Sequence, residues 1–213
     1  MSIRTPRPIP AHPDVTIESG QRVWSGRFPL DVVRFRHKRF DGGMSGVRNW
    51  ELWRRGHAAA LLPYDPVRDA VVLIEQFRFP ALAAGLDPVL VELPAGLCED
   101  NELPEATIMR EMAEEMRMQA DRLEHIGGFL LTPGGADEVC ELYAGRVVAP
   151  ETDADGIAWH AGEASEDEDI RVRVWPADTA IAAAMAGKMP NIVTAAGLFW
   201  LAARRDWLRQ QWA

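Results

Sequence analysis

The sequence is poor in the residues and patterns that mark several protein classes. It holds only two cysteines, Cys98 and Cys140, without the spacing of a metal knuckle and too few for a disulfide framework. They are read as reduced thiols of a cytoplasmic protein. No apolar run approaches the roughly 20 residues that cross a bilayer, so no membrane partner is expected. The opening MSIRTPRPIPAHPD lacks an apolar stretch after its basic residues, so no secretory signal is expected there, and its prolines suggest a loose arm over 1–13. Basic residues are the minority: 23 Lys and Arg against 32 Asp and Glu give a net charge of −9. Such a balance argues against nucleic acid as a partner, because binding its backbone needs a basic surface. It does not argue against a phosphate-bearing small molecule held through bridging Mg²⁺, for which carboxylates are the preferred protein ligands.

What is present divides into three stretches. Residues 14–55 read as a small β subdomain, with a β-rich run over 31–40, a turn at Asp41-Gly42-Gly43 and an alternating run over 47–55. Residues 56–175 carry apolar strand-like runs at 57–63, 69–77, 123–131, 139–148 and 170–175. Pro80 to Pro88 and Thr132 to Asp137 read as loops. Between them, apolar residues at 108, 109, 112, 113 and 116 predict a helix over 103–116, its start suited by Pro104. The tail 176–212 is helical in pattern, as 177–186 and 192–211. Helices among strands and hairpins predict an α+β fold rather than a parallel wound sheet, with 56–213 as the main domain.

The chemistry sits in Gly96-Leu97-Cys98-Glu99-Asp100-Asn101-Glu102, then seven residues, then Arg110-Glu111-Met112-Ala113-Glu114-Glu115-Met116-Arg117-Met118. On a helix, Glu111, Glu114 and Glu115 project from one face, where like charges repel. Three carboxylates there need a cation; Arg110 can serve one, and Mg²⁺ suits the others. Six specified positions match such a pattern by chance about once in 10⁵ chains of this length.

This segment resembles the Nudix box, and every specified position matches except the penultimate glycine, which is Arg117 here. That departure leaves the helix ending open. The resemblance implies a Nudix-type α/β/α sandwich with a mixed sheet, preceded by a small antiparallel N-terminal sheet. It also implies two or three Mg²⁺ or Mn²⁺ ions per site. Glu111 and Glu115 would be principal metal ligands with the Ala95 carbonyl, and Glu114 an auxiliary one. Glu102 and Arg110 would fix the loop against the helix around Gly96. The flanks, Leu93-Pro94-Ala95-Gly96 and Thr132-Pro133-Gly134-Gly135, with Pro133 fifteen residues past Met118, resemble the ADP-ribose pyrophosphatase branch. So do Arg55-Gly56-His57-Ala58-Ala59 and Leu73-Ile74-Glu75-Gln76-Phe77-Arg78.

That branch implies hydrolysis of ADP-ribose to AMP and ribose 5-phosphate. A GDP-mannose or other nucleotide-sugar pyrophosphatase is the alternative, and a nucleotide-sensing module without turnover a minor one. The acidic run 163–169 is expected to close over the metals, with Glu166 as general base and Glu168 as a further ligand. Arg78 is expected on the diphosphate, Leu97 beside the substrate, and Glu138 on the terminal ribose. The resemblance further implies a homodimer whose N-terminal subdomain is exchanged or shared, with Trp50 and Arg27 holding the base.

Overall fold

The computed structural model describes residues 6–162 and 168–213. It comprises two compact units: Met1–His57 with Leu130–Val139, and Ala58–Phe129 with Cys140–Ala213. In the first, strands β1 (Val15–Trp24), β2 (Leu30–His37) and β3 (Arg48–Trp53) form an antiparallel sheet in chain order. Buried Arg54 anchors this unit. Its guanidinium bonds Asp31 at 2.9 Å and Asp137 at 2.7 Å, and it also donates to the Arg7 carbonyl. Asp137 in turn accepts the Arg55 and Gly56 amides, at 2.6 and 3.1 Å. The Thr132–Asp137 loop is thereby tied to the end of β3, so the short arm at Arg7 has a hydrogen-bonded contact as well.

The second unit is built on a larger sheet. Its strands are β4 (His57–Asp65), β5 (Ala70–Phe77), β6 (Val89–Glu92), β7 (Ala95–Leu97), β8 (Arg122–Leu130), β9 (Val139–Arg146), β10 (Ile157–Ala161) and β11 (Ile170–Pro176). The order is β10-β11-β5-β4-β9-β8, with β6 on β5 and β7 on β4. β11, β6 and β4 pair antiparallel to β5. β9 runs parallel to β4, since Val139 bonds Gly56 at one end and Val147 bonds Tyr64 at the other. The sheet is therefore mixed, as expected. Helix α1 (Phe79–Ala83) is a single turn begun by Phe79-Pro80, where a loop was expected. A proline fits the first turn of a helix, and five residues are too few to show a periodicity.

Helix α2 (Pro104–Met116) lies on one face of the sheet. Its Ile108, Met112 and Met116, all 0% exposed, pack with Leu61, Val72, Ile74, Ile170 and Val172. Helix α3 (Ala177–Met185) and helix α4 (Ile192–Trp212) complete the unit. α4 covers the opposite face, where Gly197 meets Leu93 and Leu62 so closely that a Cβ would stand 3.0 Å from Leu93. Alternation along β4 and β5 thus feeds two cores, and the layers are α/β/α.

The end of α2 resolves the question raised by Arg117. The residue adopts φ 54° and ψ 35°, the left-handed conformation that glycine would take there. Its amide still reaches the Ala113 carbonyl, and the Trp159 indole donates to the Met116 carbonyl at 3.0 Å. A side chain in this region carries about 1 kcal/mol of strain. Arg117→Gly is therefore expected to raise the melting temperature by roughly 1–4 °C, and a fall on calorimetry would show that the Arg117 side chain contributes more than its backbone loses.

Candidate active site

Strand β7 and helix α2 build the site between them. Gly96 lies against Glu111 so closely that a Cβ would overlap its carboxylate, which explains why this position carries no side chain. Arg110 then gathers the acidic residues. Its Nε and Nη2 donate to the two oxygens of Glu102 at 3.1 and 3.2 Å. Its Nη1 donates to Glu111 at 2.8 Å and Glu114 at 2.9 Å, and Nη2 reaches the Leu97 carbonyl at 3.4 Å. Arg110 thus serves three carboxylates, where the sequence suggested one. Glu102 is further held by the Glu99 amide and the Thr107 hydroxyl, both at 2.9 Å. The Arg110 guanidinium, aided by those bonds and opposed by burial, holds the Glu102 carboxyl down at about 2.

Glu115 is placed differently. It is 4% exposed and accepts the Ala95 amide at 3.1 Å. Burial, then the neighbouring charges of Glu111 and Glu168, push its carboxyl well above the ordinary range. Glu111 is also raised, by burial first, with Arg110 opposing and the charges of Glu114 and Glu168 adding. Glu111, Glu115 and Glu168 therefore lie within electrostatic reach of one another. Among the described residues no three His, Cys, Asp or Glu side chains form a closed metal cage; Glu111 and Glu114 are turned onto Arg110. The donor set nonetheless fits a hard divalent cation. All three are carboxylates, burial first and their mutual charge second keep two of them from ionising, and a cation among them would reverse that resistance.

A second network stands beside it. Arg78 donates from Nε to Glu92 at 2.7 Å, and Glu92, 3% exposed, also accepts the Asn191 amide. Asn191 caps α4 by accepting from the Val193 and Thr194 amides at 2.9 and 3.1 Å. The Arg78 side chain stays 43% exposed, and its charge is felt at Glu115. Glu92 and Asn191 were not singled out from sequence. Asn191 ahead of a helical run is a legible capping signal; Glu92 shows only as a carboxylate inside an apolar strand.

In the N-terminal unit, Glu138 pairs with Arg55 at 2.8 Å and 3.1 Å. The Arg55 guanidinium lies over Phe28 and Trp53, 4.1 and 4.8 Å from their ring centres. Arg27 stands over Phe28 at 5.6 Å, in a cleft of about 550 Å³ lined by Trp24, Arg27, Phe28, Leu30 and Trp53. Trp50 lies elsewhere, tilted against Phe35 at 6.2 Å with its indole donating to the Gly134 carbonyl. Within one chain the structure thus gives Arg27 and Trp50 separate neighbours. Arg55 and Phe28 carry contacts that sequence reasoning did not anticipate. Glu166 lies outside the described residues.

A NUDIX domain model matches residues 54–194. The chain is 41% identical over 200 residues to the ADP-ribose pyrophosphatase of Escherichia coli strain K12, covering 94% of this chain and 93% of that one. It is 38% identical over 202 residues to the ADP-ribose pyrophosphatase of Haemophilus influenzae, covering 93% and 91%. A GDP-mannose pyrophosphatase of Yersinia enterocolitica is 34% identical over 152 residues, covering 71% of this chain and 76% of its own. A crystal structure of an ADP compounds hydrolase superposes with a TM-score of 0.66 at 19% identity, covering 96% and 99% of the two chains, a likeness of fold.

The Glu102–Arg110 pair makes a pH-dependent contribution with a definite sign. A carboxyl lowered in the folded state stabilises fully above its unfolded pKa, near 4.5, and the stabilisation is lost as pH falls toward about 2. Glu102→Gln is expected to lower stability at pH 7, with the gap to wild type narrowing between pH 4.5 and 2 in urea unfolding. A gap constant over that window would contradict the pairing.

Proposed function

This chain belongs to the Nudix family, and from that premise we propose that it hydrolyses the diphosphate of ADP-ribose to AMP and ribose 5-phosphate with Mg²⁺. It is a Nudix hydrolase, and the choice of substrate rests on its likeness to ADP-ribose pyrophosphatases over nearly its whole length. The structural observation that carries the reading is buried Glu115 with half-buried Glu111 and Glu168 within reach of its charge and Arg78 nearby. These three carboxylates, with the Ala95 carbonyl, would hold the ion. The chemistry that Mg²⁺ would supply there is neutralisation of phosphoryl charge and orientation of a water.

The protein's own groups do the rest. Arg110 occupies Glu102, Glu111 and Glu114 and so keeps the loop before α2 closed on the helix. Arg78, anchored through Nε to Glu92, presents the rest of its guanidinium to the diphosphate. Glu166 takes the proton of the water that attacks one phosphorus, and the bridging oxygen leaves with its nucleoside or sugar phosphate. In the N-terminal unit, the aromatic lining of the open cleft at Trp24, Arg27, Phe28 and Trp53 suits stacking against a base. β1 is exposed along all 10 residues, including Val15, Ile17, Val23 and Trp24, which suits pairing with a second copy. We place the protein in the cytoplasm as a homodimer; no helix is long and apolar enough to cross a membrane among the described residues.

A GDP-mannose pyrophosphatase is the second reading, favoured by relatives of that name at 34–35% identity over 71% of the chain. The test is product formation from ADP-ribose, GDP-mannose, NADH, a diadenosine polyphosphate and a nucleoside triphosphate, with Mg²⁺ and with EDTA. AMP and ribose 5-phosphate, chiefly from ADP-ribose and only with Mg²⁺, are expected, and Glu166→Gln should slow that reaction roughly 10²- to 10⁴-fold. Preference for GDP-mannose would move the substrate, and turnover undiminished by EDTA would contradict the metal assignment.

A further inference from the structure

Gln76 is a buried polar residue with no part in the chemistry proposed above. It is 8% exposed, and its Nε2 is buried without a hydrogen-bond partner. Buried amide donors are almost always satisfied, so an orphan inside a sheet calls for an explanation. Its position supplies one. Residues directly opposite across an antiparallel pair share a face, and residues along a strand alternate. Val72 and Ile74 of β5 pack in the cluster with α2, so Gln76 is the next member of that row, and the strand then leads into Arg78. Across from Gln76 stand Ile170 of β11, itself in the α2 cluster, and Leu90 of β6. Glu92, opposite Ile74, is a diagonal neighbour. Glu168 lies two residues before Ile170, just ahead of the paired segment.

The orphan donor therefore faces the α2 side of the sheet, at the end of β5 that leads to Arg78 and opposite the start of β11, which Glu168 leads into. Glu92 already accepts from Arg78 on one oxygen and from Asn191 on the other. Glu168 is the carboxylate whose charge reaches both Glu111 and Glu115. A neutral amide cannot offset the repulsion among these acids, but it can fix the direction of one carboxylate. Carboxylates that ligate a metal are regularly oriented by such outer hydrogen bonds.

We propose that Gln76 is a positioning residue for Glu168: when a divalent cation occupies the carboxylate cluster, the Gln76 amide donates to one Glu168 oxygen and holds the other toward the ion. The inference rests on reading that cluster as a cation site. It assigns Gln76 no contact with substrate or reacting atoms.

The experiment is Mn²⁺ binding to the full chain, followed by the electron paramagnetic resonance signal of free Mn²⁺, beside thermal unfolding without metal. Gln76→Met removes the donor while keeping the length of the side chain. It is expected to leave the metal-free melting temperature unchanged or slightly raised, since an unsatisfied donor is lost, and to weaken Mn²⁺ binding roughly 10- to 100-fold. In a Glu168→Gln background the same substitution should have little further effect, because the interaction it removes is already gone. Gln76→Leu provides the same measurements should the methionine variant fold poorly. Wild-type Mn²⁺ binding with unchanged affinity in Gln76→Met would overturn the role of Gln76 alone. Full additivity with Glu168→Gln would do so too. Absence of Mn²⁺ binding by the wild type would overturn the cation-site reading and the inference with it.

Discussion

The Arg110 guanidinium is the interaction on which the site depends. One cation spans Glu102 on the loop, Glu111 and Glu114 on the helix, and the Leu97 carbonyl at the end of β7. Without it, the loop and the second half of α2 would present like charges to one another at close range. The arrangement also defines what Arg110 leaves undone. Glu115 is deeper, 4% exposed, and accepts a backbone amide from Ala95. A buried carboxylate beside other carboxylates is costly unless a positive group joins it. The same packing that orders the loop thus supports the proposed place for a divalent ion.

The sheet delivers the remaining groups to that place. β5 sets Gln76 in the row that continues from Ile74 and leads into Arg78, and its pairing with β6 and β11 adds Glu92 and brings in the chain from Glu168. The far layer takes part as well, since Asn191 both caps α4 and holds Glu92, the residue that orients Arg78. A capping residue on one side of the sheet is thereby linked to the charge environment on the other. Layered packing does more here than stabilise; it sets the directions of charged side chains.

Much of this was legible in the sequence, for identifiable reasons. α2 shows a clear period of apolar residues, and β5 a sustained apolar run, so both elements and their ends agree closely with the structure. The box points to the carboxylates that Arg110 gathers, because its spacing is set by one loop and one helix. Elements without periodicity escaped: β6, β7 and β10 are three to five residues long, and α1 is a single turn. Side-chain partners between distant segments escaped too. The Arg78–Glu92–Asn191 chain joins residues 14 and 99 positions apart, and the Arg55–Glu138 pair spans 83. Arg117 shows the reverse case, a departure from pattern that the backbone absorbs without changing the helix end.

The most direct test of the central claim is the melting temperature of wild type and Glu115→Gln as Mg²⁺ rises at constant ionic strength. If buried carboxylates require the ion, Mg²⁺ at about 100 times its Kd should raise the wild-type value by roughly 5–10 °C. The variant, relieved of one buried charge, should start at or above the wild type and respond little. An equal response to Mg²⁺ in both proteins would contradict the account, since Glu115 would then hold no part of the cation site.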